Sequence, residues 1–203
     1  MRCWGGAGAC VLEKKGTVLE QESLPFLAVL LLFAILPAAA RVQNLSAQIG
    51  ESTFPWLCSN CWHKHSGEPL AGGKEACVIY HGGYKIGVVG LIEDDWLACC
   101  ASLDPKTLAY TDFVEVGRAI ATKLKADEGC DYVVALTHFR EPNDERLAAE
   151  APEIDLVLGG HDHHYASKCV EPHGTWYVKS GADFRYVRLQ LQFLWRIPTA
   201  AVS

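Results

Sequence analysis

Residues 131–164 read DYVVALTHFREPNDERLAAEAPEIDLVLGGHDHH, and this stretch decides the fold. Two continuous apolar runs of strand length, Asp131–His138 and Ile154–Leu158, flank a short helix that we predict over about Asn143–Ala151. A strand, a helix and a second strand in this order form a βαβ unit, in which the two strands run parallel. The sequence therefore predicts an α/β fold.

An apolar pattern on the amino-terminal side extends this unit. The runs Glu75–Tyr80 and Tyr84–Ile92 are separated by His81-Gly82-Gly83, which predicts a β-hairpin because glycine tolerates the positive φ of a tight turn. Asp112–Asp127 has apolar residues at helical spacing, and Thr111 or Asp112 is placed to cap the start of that helix.

The carboxyl-terminal part alternates between apolar and polar residues. The alternation includes Tyr177 and Lys179 and returns through Tyr186–Phe193. A period of two is typical of strands that have one polar face. We therefore predict two further strands there.

Histidines follow both strands of the βαβ unit. His138 ends the first strand, and His161 and His163 come after Gly159-Gly160, which we interpret as two flexible glycines. Carboxyl ends of parallel strands lie at one edge of a sheet, and neutral imidazole is the commonest ligand of transition metals. These three residues are therefore candidate metal ligands; the alternative is that they are ordinary surface histidines.

Composition excludes several classes of protein. Half of the 203 residues are apolar and 21% are charged, which is too apolar for a disordered chain. The net charge of −6 argues against nucleic acid as a partner, since that affinity comes from basic side chains that neutralise phosphates. Nine cysteines cannot all pair within one chain, and this usage fits a reducing compartment slightly better than an oxidising one.

The amino-terminal region has a different character. Leu24–Ala40 lacks charged side chains and ends in three alanines, which predicts a signal peptide or a membrane anchor; a buried helix or an unrelated extension are the alternatives. A signal would make the protein secreted or membrane-anchored and Asn44-Leu45-Ser46 a glycosylation site, whereas without one we expect a cytoplasmic protein. We divide the chain into an extension over 1–50, a domain over 52–193 and a tail over 194–203.

Several motifs together resemble one family, the calcineurin-like metallophosphoesterases, and within it the 5′-nucleotidase branch. The resemblance covers about Ser52–Phe193. The residues that carry it are Gly160-His161-Asp162-His163, Ala135-Leu136-Thr137-His138, Pro152–Gly159, Phe54–Asn60 and Lys85–Leu91.

The resemblance implies part of an α-β-β-α sandwich and a hydrolase that uses two divalent ions (Mn, Zn, Mg or Fe). Its substrates would be nucleotides or other phosphomonoesters. His138 and His161 would bind one ion and His163 the other. Asp162 and Asn143 would not bind the ions themselves and would act only by orienting the histidine ligands. For Asn143 we favour a role as the N-cap of the helix that follows.

The sequence also departs from the family pattern. The family has D-x-H, G-D and G-N-H-[DE] motifs ahead of the Phe54 segment, but this sequence contains no Gly-Asp or Gly-Asn pair, and its only D-x-H is Asp162-His163-His164. We therefore identify no catalytic residue. Two hypotheses follow: a two-metal phosphomonoesterase whose amino-terminal half-site is missing from this chain, or a catalytically silent truncated remnant or partner-binding fragment of that family.

Two other clusters invite a functional interpretation. Cys58-x-x-Cys61-x-His63-x-His65 resembles a zinc motif, but its ligand pairs are too crowded for a zinc finger, and we interpret it as coincidence. Glu93-Asp94-Asp95 follows a strand, and we interpret it as the acidic start of a helix.

Overall fold

The computed structural model describes residues 47, 49–95, 97 and 105–181. The predicted signal segment 24–40, the predicted strand 186–193 and the tail 194–203 lie outside these residues. Within the described residues, no helix has both the length and the apolar character needed to cross a bilayer.

The described region contains both strands and helices. The strands are β1 (Cys61–His63), β2 (Ala76–His81), β3 (Tyr84–Ile92), β4 (Leu108–Tyr110), β5 (Tyr132–His138), β6 (Leu156–Gly159), β7 (Tyr165–Val170) and β8 (Thr175–Ser180). The helices are α1 (Phe113–Ala126) and α2 (Glu141–Glu150), with short 3₁₀ turns at Leu70–Gly72 and Pro105–Thr107.

A mostly parallel sheet forms the centre of the described region. Its strand order is β2-β3-β5-β6-β8-β7, with β3, β5, β6 and β8 parallel and the outer strands β2 and β7 antiparallel to their neighbours. Strands β1 and β4 form a separate antiparallel pair. The predicted α/β class and the βαβ unit β5-α2-β6 are therefore confirmed.

The predicted hairpin is also present. Strands β2 and β3 pair with His81 opposite Tyr84, so that two residues make the turn. Gly82 and Gly83 have φ values of 58° and 84°, which residues other than glycine adopt only at a cost in free energy.

Helix α1 covers one face of the sheet as its spacing predicts. The Asp112 side chain accepts a hydrogen bond of 3.0 Å from the Val114 amide and caps the helix. Phe113, Ile120 and Leu124 are buried in a core that includes Val89 and Val133 of the sheet. A smaller cluster of Leu57, Val88 and Leu136 forms a separate part of the core.

Helix α2 begins two residues earlier than predicted. Its N-cap position is Arg140, without a side-chain cap, and Pro142 lies in its first turn, where the fixed φ of proline favours helix initiation. Asn143 is therefore inside the helix, and its assignment as N-cap is wrong. Its side-chain amide instead donates a hydrogen bond to Glu93.

Strand β8 alternates as expected, but its faces differ from the prediction. Tyr177 and Lys179 are both completely buried on the side against which α2 packs. The polar face that we predicted from the alternation is therefore wrong at Lys179, because oxygen atoms around the buried ammonium take the place of water.

Gly90 of β3 is a position where we expect a side chain to disrupt packing. A β-carbon there would lie 2.6 Å from Cβ of Leu57 and 2.9 Å from the Leu57 carbonyl oxygen. Gly90→Ala should therefore lower the free energy of unfolding in urea by about 1–3 kcal/mol, the usual cost of overpacking a core.

The matched control is Gly50→Ala. A β-carbon at Gly50 would meet no atom within 4 Å, and its φ is not positive. Equal stability of the two variants would show that the backbone beside Leu57 accommodates the methyl group.

Candidate metal centre

Two of the predicted histidines meet at the carboxyl edge of the sheet. His138 is the last residue of β5 and is 6% exposed, while His161 lies in the loop after β6. His138 Nε2 and His161 Nδ1 are 3.1 Å apart, and the ring centroids are separated by 4.9 Å. The sheet and the loop therefore bring these two imidazoles into contact.

His163 belongs to the same loop and is exposed. Across the described residues, no three His, Cys, Asp or Glu side chains are grouped closely enough to hold a metal ion. The structure thus unites two of the three candidate ligands and places the third nearby in sequence.

The environment of His138 suits a neutral ligand. Burial, together with the neighbouring His161 imidazole, lowers the pKa of His138 to about 4, so the ring is neutral at physiological pH. Its Nδ1 is buried, and no hydrogen-bond partner for it is present in the described part of the chain. A buried neutral imidazole is the form that binds transition metals.

The imidazole pair fits a divalent ion as part of a donor set. Two nitrogens that each lie about 2.0–2.1 Å from one tetrahedral zinc ion are themselves separated by about 3.3 Å. The observed separation of 3.1 Å between His138 Nε2 and His161 Nδ1 is close to this value. The donor chemistry and the spacing of these residues therefore suit the cofactor that the resemblance implies.

The His161 backbone adopts a tight turn. The Asp162 amide donates to the Gly160 carbonyl at 2.9 Å, and His161 between them has φ of 69°, which together define a γ-turn. The Gly160 amide is anchored to the Thr137 carbonyl at 2.8 Å. The residue with positive φ in this part of the loop is therefore His161 and not Gly159 or Gly160.

Gly159 has a steric role in place of the flexibility that we predicted. Neither Gly159 nor Gly160 has positive φ. A β-carbon at Gly159 would lie 3.0 Å from the Asp144 carboxylate and 3.1 Å from Cγ of Lys179. The absent side chain leaves room for these two residues under the loop.

Asp162 holds the loop to helix α2. Its Oδ2 accepts a hydrogen bond of 2.6 Å from the Glu141 amide and is 3.4 Å from Nζ of Lys179. Although burial alone would raise the pKa of Asp162, the Glu141 amide and the Lys179 charge lower it below its ordinary value. Asp162 is thus an ionised anchor between the loop and the helix.

A completely buried ion pair lies beneath this anchor. Nζ of Lys179 is 2.6 Å from Oδ2 of Asp144, and both side chains are 0% exposed. Burial raises the pKa of Asp144 to about 6, although Lys179 and the Thr137 hydroxyl, which donates to Oδ1, favour its charged form. The pairing of these two residues was not predicted from the sequence, because nothing in a strand or helix pattern reveals it.

Glu93 is a second buried carboxylate at the same edge. It directly follows β3, is 3% exposed, and accepts hydrogen bonds from Nε of Arg140 at 3.0 Å and from Asn143. Helical backbone begins at Asp95, as the acidic cluster predicts, and Asp94 accepts a hydrogen bond from the Asp95 amide; the contacts of Glu93 with Arg140 and Asn143 were not predicted. The position of Glu93 at the carboxyl end of a strand, where His138 also lies, was the available signal.

The cysteine pair of the zinc-like motif lies in the core. Cys58 and Cys61 are free thiols with 0% exposure, clustered with Trp56 and Leu70. A hydrogen bond with Cys61 and burial raise the pKa of the Cys58 thiol, which keeps it protonated and unreactive.

The chain is similar to curated phosphoesterases. It is 32% identical over 101 residues to an apyrase of Tabanus yao, an alignment that covers 48% of this chain and 18% of the relative. It is 28% identical over 126 residues to a 5′-nucleotidase of Vibrio vulnificus, covering 54% of this chain and 22% of the relative. No protein-family model matches the chain.

The fold is similar to a solved structure of the same kind. The crystal structure of the calcineurin-like phosphoesterase YfkN from Bacillus subtilis superposes with a TM-score of 0.53 at 22% identity, over 66% of this chain and 48% of that one. The chain spans about a fifth of the length of the two curated relatives above. Over about half of its own length, this chain is similar to apyrases and 5′-nucleotidases, and its fold is similar to that of a calcineurin-like phosphoesterase.

Proposed function

We propose that this chain supplies the histidine part of a two-metal phosphomonoesterase site, with nucleotides as the substrate class. The observation that carries the proposal is the 3.1 Å contact between His138 Nε2 and His161 Nδ1 at the carboxyl edge of the sheet. Similarity to an apyrase and a 5′-nucleotidase supports the substrate class.

In this proposal His138 and His161 hold one divalent ion and His163 holds the other. Such ions neutralise phosphoryl oxygens and lower the pKa of bound water, which is the chemistry that they supply. The protein keeps the His138 ring neutral by burying it and fixes the His161 backbone through Asp162. The three histidines thus present nitrogen ligands from a rigid edge.

The remaining ligands of the family pattern have no counterpart in this sequence. A bridging aspartate from a G-D motif and an asparagine from G-N-H-[DE] would have to come from other residues, since neither dipeptide occurs here. Two like-charged ions without a bridging carboxylate are held weakly. We therefore expect the 203-residue chain alone to be catalytically silent.

The first test is binding of Mn²⁺, an ion that prefers oxygen and nitrogen ligands to the many thiols of this chain. Mn²⁺ added to the 203-residue chain should broaden the imidazole NMR signals of His138 and His161 first, because a paramagnetic ion relaxes nearby nuclei. His173, which lies between β7 and β8, serves as the reference signal. Equal broadening of all three would contradict a site at this edge.

The second test is activity. With Mn²⁺ or Zn²⁺, the isolated chain should hydrolyse nucleoside monophosphates no faster than the variant His138→Ala/His161→Ala. Addition of the D-x-H, G-D and G-N-H-[DE] motifs upstream should create activity that this variant lowers by at least about 10²-fold.

Turnover of AMP by the chain alone, at about 1 s⁻¹ or faster and lost in the double variant, would contradict catalytic silence. It would mean that a carboxylate of this chain bridges the ions. Asp162 and Asp183 would be substituted first in that event.

We also propose that Leu24–Ala40 directs the chain to the secretory route or anchors it in a membrane. When the full chain is expressed in cells that glycosylate secreted proteins, Asn44 should carry an N-glycan. Asn44→Gln should abolish the resulting glycosidase-sensitive mobility shift. An unshifted wild-type chain recovered from the cytosol would support the cytoplasmic alternative.

A further inference from the structure

Lys179 is a buried cation that contacts both sides of the candidate metal centre. Its Nζ donates hydrogen bonds to the Phe139 carbonyl at 2.8 Å and to the Gly160 carbonyl at 2.6 Å. Phe139 directly follows His138, and Gly160 directly precedes His161. One ammonium group therefore joins the backbone next to each imidazole of the pair.

Charge on the remaining sides of the ammonium is balanced by carboxylates. Asp144 lies 2.6 Å from Nζ and Asp162 lies 3.4 Å away. An ammonium has three protons to donate, and burying it costs several kcal/mol unless these protons and its charge are satisfied. Lys179 donates hydrogen bonds to two carbonyls, and two carboxylates within 3.4 Å balance its charge.

The surroundings are built to admit this group. Gly159 lacks a side chain at the point where Cγ of Lys179 and the Asp144 carboxylate would meet a β-carbon at 3.1 Å and 3.0 Å. An apolar residue on β8 would fill the same space without the cost of desolvating a charge. What the cation adds over an apolar residue is its set of hydrogen bonds to the backbone on either side.

The Gly160 carbonyl is the critical contact because it starts the γ-turn. That oxygen also accepts a hydrogen bond of 2.9 Å from the Asp162 amide, and the turn gives His161 a φ of 69°. A non-glycine residue in this conformation persists only where its surroundings fix it. Lys179 supplies such a constraint through its hydrogen bond to the Gly160 carbonyl, and Asp162 supplies another by accepting a hydrogen bond from the Glu141 amide.

We infer that Lys179 is a positioning residue, which fixes the end of β5 and the Gly160–His163 loop at the separation where His138 and His161 share one metal ion. The inference rests on the proposed function, and Lys179 does not itself touch the ion.

The test compares Mn²⁺ binding by the 203-residue chain and by its Lys179→Met variant. Binding is measured through the EPR signal of free Mn²⁺. Methionine has similar length but no proton to donate. If Lys179 acts only as a nearby positive charge, its removal tightens Mn²⁺ binding. If it positions the ligands, its removal weakens binding by about 10–100-fold, as is usual for groups that orient metal ligands.

The matched control is Lys168→Met on the neighbouring strand β7. Lys168 is exposed and pairs with Glu145 at 3.1 Å. Removal of this charge should leave Mn²⁺ binding unchanged. An equal loss in both lysine variants would contradict a specific role for Lys179.

A second variant addresses the carboxylate that Lys179→Met leaves unpaired. Lys179→Met/Asp144→Asn removes both charges, so that no uncompensated ion remains buried. If the single variant does not fold, this double variant is expected to fold and to bind Mn²⁺ more weakly than wild type by the same factor. Wild-type affinity in the folded double variant would overturn the inference.

Amide hydrogen exchange separates this inference from the proposed function. Loss of the Lys179 contact should accelerate exchange at Gly160 and Asp162 at least tenfold relative to Gly90 in the centre of the sheet, whether or not a metal binds. Unchanged exchange at these two amides would overturn the positioning role. Unchanged Mn²⁺ affinity in His138→Ala/His161→Ala would instead overturn the proposed function.

Discussion

The alignment of parallel strand ends constrains everything at the candidate metal centre. Ile92 of β3 pairs with His138 of β5, Thr137 with Gly159 of β6, and Gly159 with Lys179 of β8. The carboxyl ends of these four strands therefore lie side by side at one edge of the sheet, and the chain leaves each of them at that edge. Glu93, the histidines and the ammonium of Lys179 are neighbours because of this register, although they are far apart in sequence.

The features that sequence could predict depend on short stretches of chain. Apolar spacing identifies α1 and the strands β5 and β6, and Asp112 and Gly82-Gly83 mark a helix start and a turn through their local backbone preferences. His138 and His161 were predicted to meet because the βαβ rule fixes which ends of its strands adjoin. That rule uses topology alone and needs no knowledge of side-chain packing.

The features that sequence could not predict depend on tertiary contacts. Lys179 alternates like any polar strand residue, and only the structure shows the four oxygen atoms that surround its ammonium. Asn143 precedes an apparent helix as a cap would, yet Pro142 starts the helix earlier and Glu93 binds the amide. Partner choice of this kind has no signature in local sequence.

The γ-turn at His161 exposes a conflict between backbone and side chain. Glycine would adopt a φ of 69° freely, whereas a β-carbon makes the left-handed region unfavourable by about 1–2 kcal/mol. Glycine, however, has no imidazole to place against His138. This position therefore gives up backbone stability to place an imidazole against His138, and random mutagenesis scored only for thermal resistance should select substitutions here that remove the contact between His138 and His161.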